Sequence, residues 1–178
     1  MEYRTAQQRS CNTRPPVRTV ARWSPPPDGR YKANIDAATF QEEGRAGIGI
    51  IWRDSNGLVM AFASQNIQIT SSVVEMEALA AIRAIELYSE LGFDKVVFEG
   101  DCQTVVNALT DTSQPLATYG LLIQDAQVLA IQFSGVRFQY ADRESNKVAH
   151  NLARYARYIT GGKAKPLREP KSKKNGNG

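Results

Sequence analysis

Asp54-Ser55-Asn56-Gly57, set between two apolar runs, restricts the fold of this chain more than any other short stretch. The stretch is a strong hairpin signal, so Ala46 to Arg53 and Leu58 to Asn66 are predicted as antiparallel neighbours. Gly47 and Gly49 inside the first of these runs predict a close approach of other backbone to that strand. A further strand, Tyr31 to Ala37, precedes the hairpin. After it, Ser71 or Ser72 caps a helix that runs to about Leu91 and stops at Gly92. Lys95 to Glu99 is apolar, β-branched and flanked by helices, the pattern of a buried parallel strand. Short helices follow at Gln103 to Leu109 and Tyr119 to Ile131, then a strand at Val136 to Ala141 and a closing helix at Asn146 to Tyr158. An antiparallel hairpin followed by βαβ units predicts an α/β domain: a mixed sheet with helices on its faces.

The chain has 178 residues, one domain by size. Residues 1–22 hold five Arg against one Glu, and residues 163–178 hold six Lys or Arg against one Glu, so the tails carry 11 − 2 = +9. The remaining eleven basic and sixteen acidic residues leave the body at −5. An acidic body with basic arms suits a polyanion held by the arms and worked on by the body. Solubilisation is the ordinary role of such charge runs. The organisation expected is a disordered basic arm over 1–22, a Pro-rich linker over 23–29, a domain over 30–160 and a disordered basic tail over 161–178. No run approaches the ~18 apolar residues of a membrane span. The start of the chain lacks the apolar stretch of a secretory signal, and the two cysteines form neither a disulfide framework nor a metal motif. A reducing intracellular compartment is expected, with nucleus and cytoplasm both compatible, as are a monomer and no membrane partner.

Three acids stand beside apolar segments: Asp36 at the end of Tyr-Lys-Ala-Asn-Ile-Asp, Glu77 within Val-Glu-Met-Glu-Ala-Leu-Ala-Ala, and Asp101 at the end of Val-Val-Phe-Glu-Gly-Asp. At about 100° per residue, Glu75, Arg83, Glu86 and Glu90 share the solvated stripe of the first helix. Glu77 lies roughly 160° away, among Val73, Ala80, Ala84 and Leu91. An inward glutamate needs a cation, either a metal or a buried ion-pair partner. Asp36 and Asp101 each follow a strand, and parallel neighbouring strands would bring them together where open α/β sheets place their sites. Each alone reads as a turn or cap residue, Asp101 as the cap of the helix beginning near Gln103. The triple reads as a carboxylate cluster for hard divalent ions. Cys102, beside Asp101, is expected to be inert. His150 shares a stripe with Lys147, Arg154 and Arg157 and, taken alone, reads as a surface residue.

The stretches Trp-Ser-Pro-Pro-Pro-Asp-Gly-Arg-Tyr-Lys-Ala-Asn-Ile-Asp-Ala-Ala, Glu-Met-Glu-Ala-Leu-Ala-Ala-Ile-Arg-Ala-Ile-Glu, Val-Val-Phe-Glu-Gly-Asp-Cys-Gln-Thr-Val-Val-Asn-Ala-Leu and Arg-Glu-Ser-Asn-Lys-Val-Ala-His-Asn-Leu-Ala-Arg occur in that order. Together they resemble the ribonuclease H family, most of all the reverse-transcriptase-like ribonuclease H domains of plant retroelement-derived proteins. The resemblance implies an RNase H-like mixed five-stranded sheet of order 3-2-1-4-5, with strand 2 antiparallel and helices on both faces. It implies endonucleolytic hydrolysis of the RNA strand of RNA–DNA hybrids by two Mg²⁺ ions, with Mn²⁺ as a substitute. By the same resemblance Asp36, Glu77 and Asp101 are metal ligands, and His150 stands where the family carries a fourth carboxylate. Neutral imidazole is a poor Mg²⁺ ligand and a fair Mn²⁺ ligand, so His150 is expected to weaken a metal or to shuttle a proton.

Two further departures concern loops. The histidine-bearing loop of bacterial-type enzymes is replaced by the short Ala141-Asp142-Arg143-Glu144-Ser145, and Thr110 to Thr118 carries no basic residue where some relatives have a basic protrusion. Affinity would then come from the basic tails or from another domain. The Trp23 segment resembles the linker that follows the reverse transcriptase region, which implies a module of a longer protein. A non-catalytic nucleic-acid-binding or interaction domain of the same fold is the alternative reading.

Overall fold

A computed structural model describes residues 22–69, 72–93, 95–111, 118–160 and 165–166. The rest of the arm and tail, and most of Thr110 to Thr118, lie outside the described residues. Six strands form one sheet: β1 (Tyr31–Phe40), β2 (Arg45–Arg53), β3 (Val59–Gln68), β4 (Val96–Gly100), β5 (Arg137–Tyr140) and β6 (Lys165–Pro166). Their order is β5-β4-β1-β2-β3-β6. The five long strands thus have the order 3-2-1-4-5, with β2 antiparallel to β1 and β3, and β4 parallel to β1 and β5. Two residues of the expected irregular tail add the sixth strand, antiparallel to the outer edge of β3. The helices are α1 (Val73–Leu91), α2 (Gln103–Thr110), α3 (Gly120–Ile131) and α4 (Lys147–Tyr155), the last continued by a 3₁₀ turn, Ala156–Tyr158.

Alternation along β1 sorts its side chains between two layers. Ala33 and Ile35, with Ile48, Ile50 and Trp52 of β2 and Phe98 of β4, join the apolar core under α1. That helix contributes Ala78, Ala81, Ala84, Ile85 and Tyr88 to the core. Its start is fixed by a capping box: the Glu75 backbone N–H donates to Ser72 Oγ, and the Ser72 backbone N–H donates to the Glu75 carboxylate at 2.7 Å. Glu75, expected to be a plain surface charge, therefore has a structural role. Gly92 ends the helix at φ 67°, a left-handed conformation that favours glycine.

The opposite layer is polar and carries α4. A Cβ on Gly47 would lie 2.0 Å from the Ala153 carbonyl oxygen, and one on Gly49 2.2 Å from that of Ala149. Only hydrogen at these two positions lets the α4 backbone rest on β2, the close approach expected from the sequence. Ser64 and Asn66 of β3 then donate to the carbonyls of Leu152 and Ala156 at 2.8 and 2.9 Å, tying the end of α4 and the 3₁₀ turn to the sheet. On the same layer Lys32 and Glu99 form a buried ion pair at 2.7 Å, and Asn34 donates to Glu99 at 3.0 Å. The 23–29 linker is seated against this group. Lys32 Nζ donates to the Ser24 carbonyl at 2.7 Å, and the Arg53 guanidinium lies 4.6 Å from the centre of the Trp23 ring.

Candidate active site

Asp36 does not end its strand: β1 continues to Phe40, held by β2 as far as Arg45. It stands where the parallel neighbour stops, since Ile35 pairs with Gly100 and the chain leaves the sheet at Asp101. The two aspartates are thereby side by side, and both belong to the α4 layer. Glu77 comes from the first turns of α1 and reaches around the strand ends. One carboxylate oxygen from each of Asp36, Glu77 and Asp101 lies within 4.8 Å of the others. Asp101 does not cap α2, whose N-cap position is Cys102 with no side-chain cap bond.

Such a cluster repels itself. Asp36 is 2 % exposed, and its carboxyl is pushed up to about 9, chiefly by burial and then by Glu77 and Asp101, with Arg143 opposing. Glu77 is pushed up to about 8 by burial and by Asp101, against a hydrogen bond from the Ala37 N–H and the Arg143 charge. The donor set is three hard oxygens around a point short of positive charge, which suits Mg²⁺ or Mn²⁺. The Cys102 thiol is raised by burial and by the same carboxylates, which keeps it protonated and unreactive.

His150 is not a detached surface residue. Its Nδ1 lies 2.8 Å from Asp36 Oδ2, a hydrogen-bond distance at which the tautomer decides which group donates. Burial lowers its pKa, and Arg143 and Arg154 lower it further, while Asp101 opposes them. Two further residues, not singled out from the sequence, complete the site. Arg143 Nη1 stands 4.0 Å from Asp101 Oδ2, and its Nη2 stands 3.5 Å from each His150 ring nitrogen. Asn146, fully buried, donates to the Ile35 carbonyl at 2.8 Å and to Asp101 Oδ1 at 3.4 Å. It ties the start of α4 to β1 and steadies Asp101. The signal for Arg143 was its place as the sole basic residue in the short loop before α4; nothing in the sequence pointed to Asn146. The acids open into a cleft of about 700 Å³ whose other walls include Phe40, Arg143, Arg154 and Arg157.

A sheet of this order, with this carboxylate group on β1 beside the end of β4, is that of the ribonuclease H fold. The chain belongs to the reverse transcriptase-like family of ribonuclease H domains, whose model matches residues 34–156. It is 32% identical over 104 residues to ribonuclease HI of Halobacterium salinarum, a match covering 56% of this chain and 51% of that protein. The chain thus spans about half the length of that curated relative. The crystal structure of RNase H1 from the same archaeon superposes with a TM-score of 0.67 at 25% identity, covering 72% of this chain and 98% of that one. A ribonuclease H1 isolated from compost, solved in complex with an RNA/DNA hybrid, shares the fold with a TM-score of 0.63 at 20% identity, over 71% of this chain and 95% of that one.

Proposed function

We propose that this domain hydrolyses the RNA strand of RNA–DNA hybrids with divalent cations held by Asp36, Glu77 and Asp101. The observation that carries this reading is the convergence of three carboxylates within 4.8 Å at the floor of an open, arginine-walled cleft. The ribonuclease HI relative and the compost enzyme's complex with a hybrid support the choice of substrate. Bound ions supply an activated water and stabilisation of the leaving 3′ oxygen. Asp36 and Glu77, both raised, give up protons when a cation replaces that repulsion. His150 Nδ1, already against Asp36, is placed to hold such a proton at the edge of the site. Arg143, reaching over Asp101 and His150, gives the cleft a fixed positive charge for a phosphate. Asn146 holds Asp101 in register with β1.

A labelled RNA–DNA hybrid, titrated with Mg²⁺ and separately with Mn²⁺, tests this. Metal-dependent loss of the RNA strand is expected, with duplex DNA untouched. The second reading, a binding domain without catalysis, is favoured by His150 in place of a fourth carboxylate. Hybrid binding without cleavage in either metal would select it.

A further inference from the structure

The far end of α4 carries a feature that hydrolysis does not use. Arg157 lines the cleft, with its guanidinium 4.8 Å from the centre of the Phe40 ring and 5.9 Å from that of Tyr158. Tyr158 in turn stands 6.2 Å from Tyr155. A row of contacts from Phe40 through Arg157 and Tyr158 to Tyr155 therefore leads from the cleft wall to the outer surface. The two tyrosines are 57% and 75% exposed for Tyr155 and Tyr158, and their rings are tilted by 55°, so neither covers the face of the other. Glu43 takes up Arg157 in an ion pair. Arg154, one turn earlier on the cleft wall, makes no ion pair among the described residues and remains available to an anion.

Two exposed tyrosines, with an arginine outside any described ion pair one residue before the first, are the residue types that bind unpaired nucleotides: bases stack, and the cation takes a phosphate. We propose that Arg154, Tyr155 and Tyr158 form a site for the single-stranded extension of a nucleic acid whose paired part occupies the cleft. The site favours hybrids that adjoin single-stranded sequence over blunt ones. This rests on the hybrid reading of the cleft and adds a preference for substrate ends.

Fluorescence anisotropy without divalent ions, using blunt hybrids and hybrids bearing a short single-stranded DNA extension, separates the two. The wild-type chain is expected to bind the extended hybrid roughly fivefold or more tightly than the blunt one. Tyr155→Ala with Tyr158→Ala abolishes that preference and leaves blunt binding intact, whereas the double Phe variant, which still stacks, retains it. Arg154→Ala lowers the salt slope for the extended hybrid by about one. Equal affinity of the wild type for both hybrids, or a preference that survives the double alanine variant, overturns the site while the cleft reading stands. Binding of neither hybrid overturns both.

Discussion

Asp36 and Glu77 bind protons more tightly in the folded chain than in the unfolded one, because burial and mutual repulsion oppose their charges. For a raised carboxyl the sign is fixed: its contribution is full below the ordinary values of 3.8 and 4.5, and is lost as pH rises toward about 9 and about 8. The metal-free protein is therefore expected to melt at progressively lower temperature from pH 6 to pH 9, and added Mg²⁺ to restore more stability at pH 8.5 than at pH 6. Calorimetric melting at several pH values checks this; a metal-free melting temperature that rises with pH contradicts it. His150→Asp supplies the fourth carboxylate that the resemblance to ribonuclease H implies at this position. Tighter Mg²⁺ binding by titration calorimetry and higher Mg²⁺-dependent cleavage are expected, and a fall in both would count against the assignment. Glu77 was legible from its helical face alone, whereas Arg143 and Asn146 act through a loop geometry that no period encodes.

At the scale of elements, the site depends on how closely α4 lies on β2. Gly49 opposes Asp36 in the sheet, and a Cβ there would meet the Ala149 oxygen and the Ala153 nitrogen at 2.2 and 2.3 Å. Gly49→Ala must lift the helix that carries His150 and Asn146. It is expected to cost about 1–3 kcal/mol in urea unfolding and to lower cleavage sharply. Unchanged stability would mean that the helix packs elsewhere. Ser72→Ala, which removes the capping box of α1, should cost about 1 kcal/mol with the carboxylate cluster intact. Turn chemistry, caps and glycines made these elements readable: Asn56-Gly57, Ser72, Gly92 and the Gly47–Gly49 pair each impose a local geometry. Where β1 ends was less readable. Its continuation past Asp36 depends on cross-strand pairing with Arg45 and Ala46, a tertiary effect invisible in the run itself. The two-residue β6 likewise exists only through its pairing with β3.

For the whole molecule, charge is divided between basic ends and an acidic body that holds the carboxylate cluster. Binding to a polyanion is then expected to draw on the ends, and truncation of residues 163–178 should weaken hybrid binding and flatten its dependence on salt. An unchanged slope after truncation would locate the affinity in the body. The order of elements along the chain was enough to predict a mixed sheet with helices on its faces, whereas the strand order 3-2-1-4-5 came from the family resemblance. Catalysis is a finer matter than fold. It is tested most directly by cleavage of a hybrid labelled in its RNA strand, comparing the wild-type chain with Asp36→Asn and Glu77→Gln at saturating Mg²⁺ or Mn²⁺. Wild-type products ending in 5′-phosphate are expected, with a loss of about a hundredfold or more in each variant. Equal cleavage by wild type and variants would contradict this.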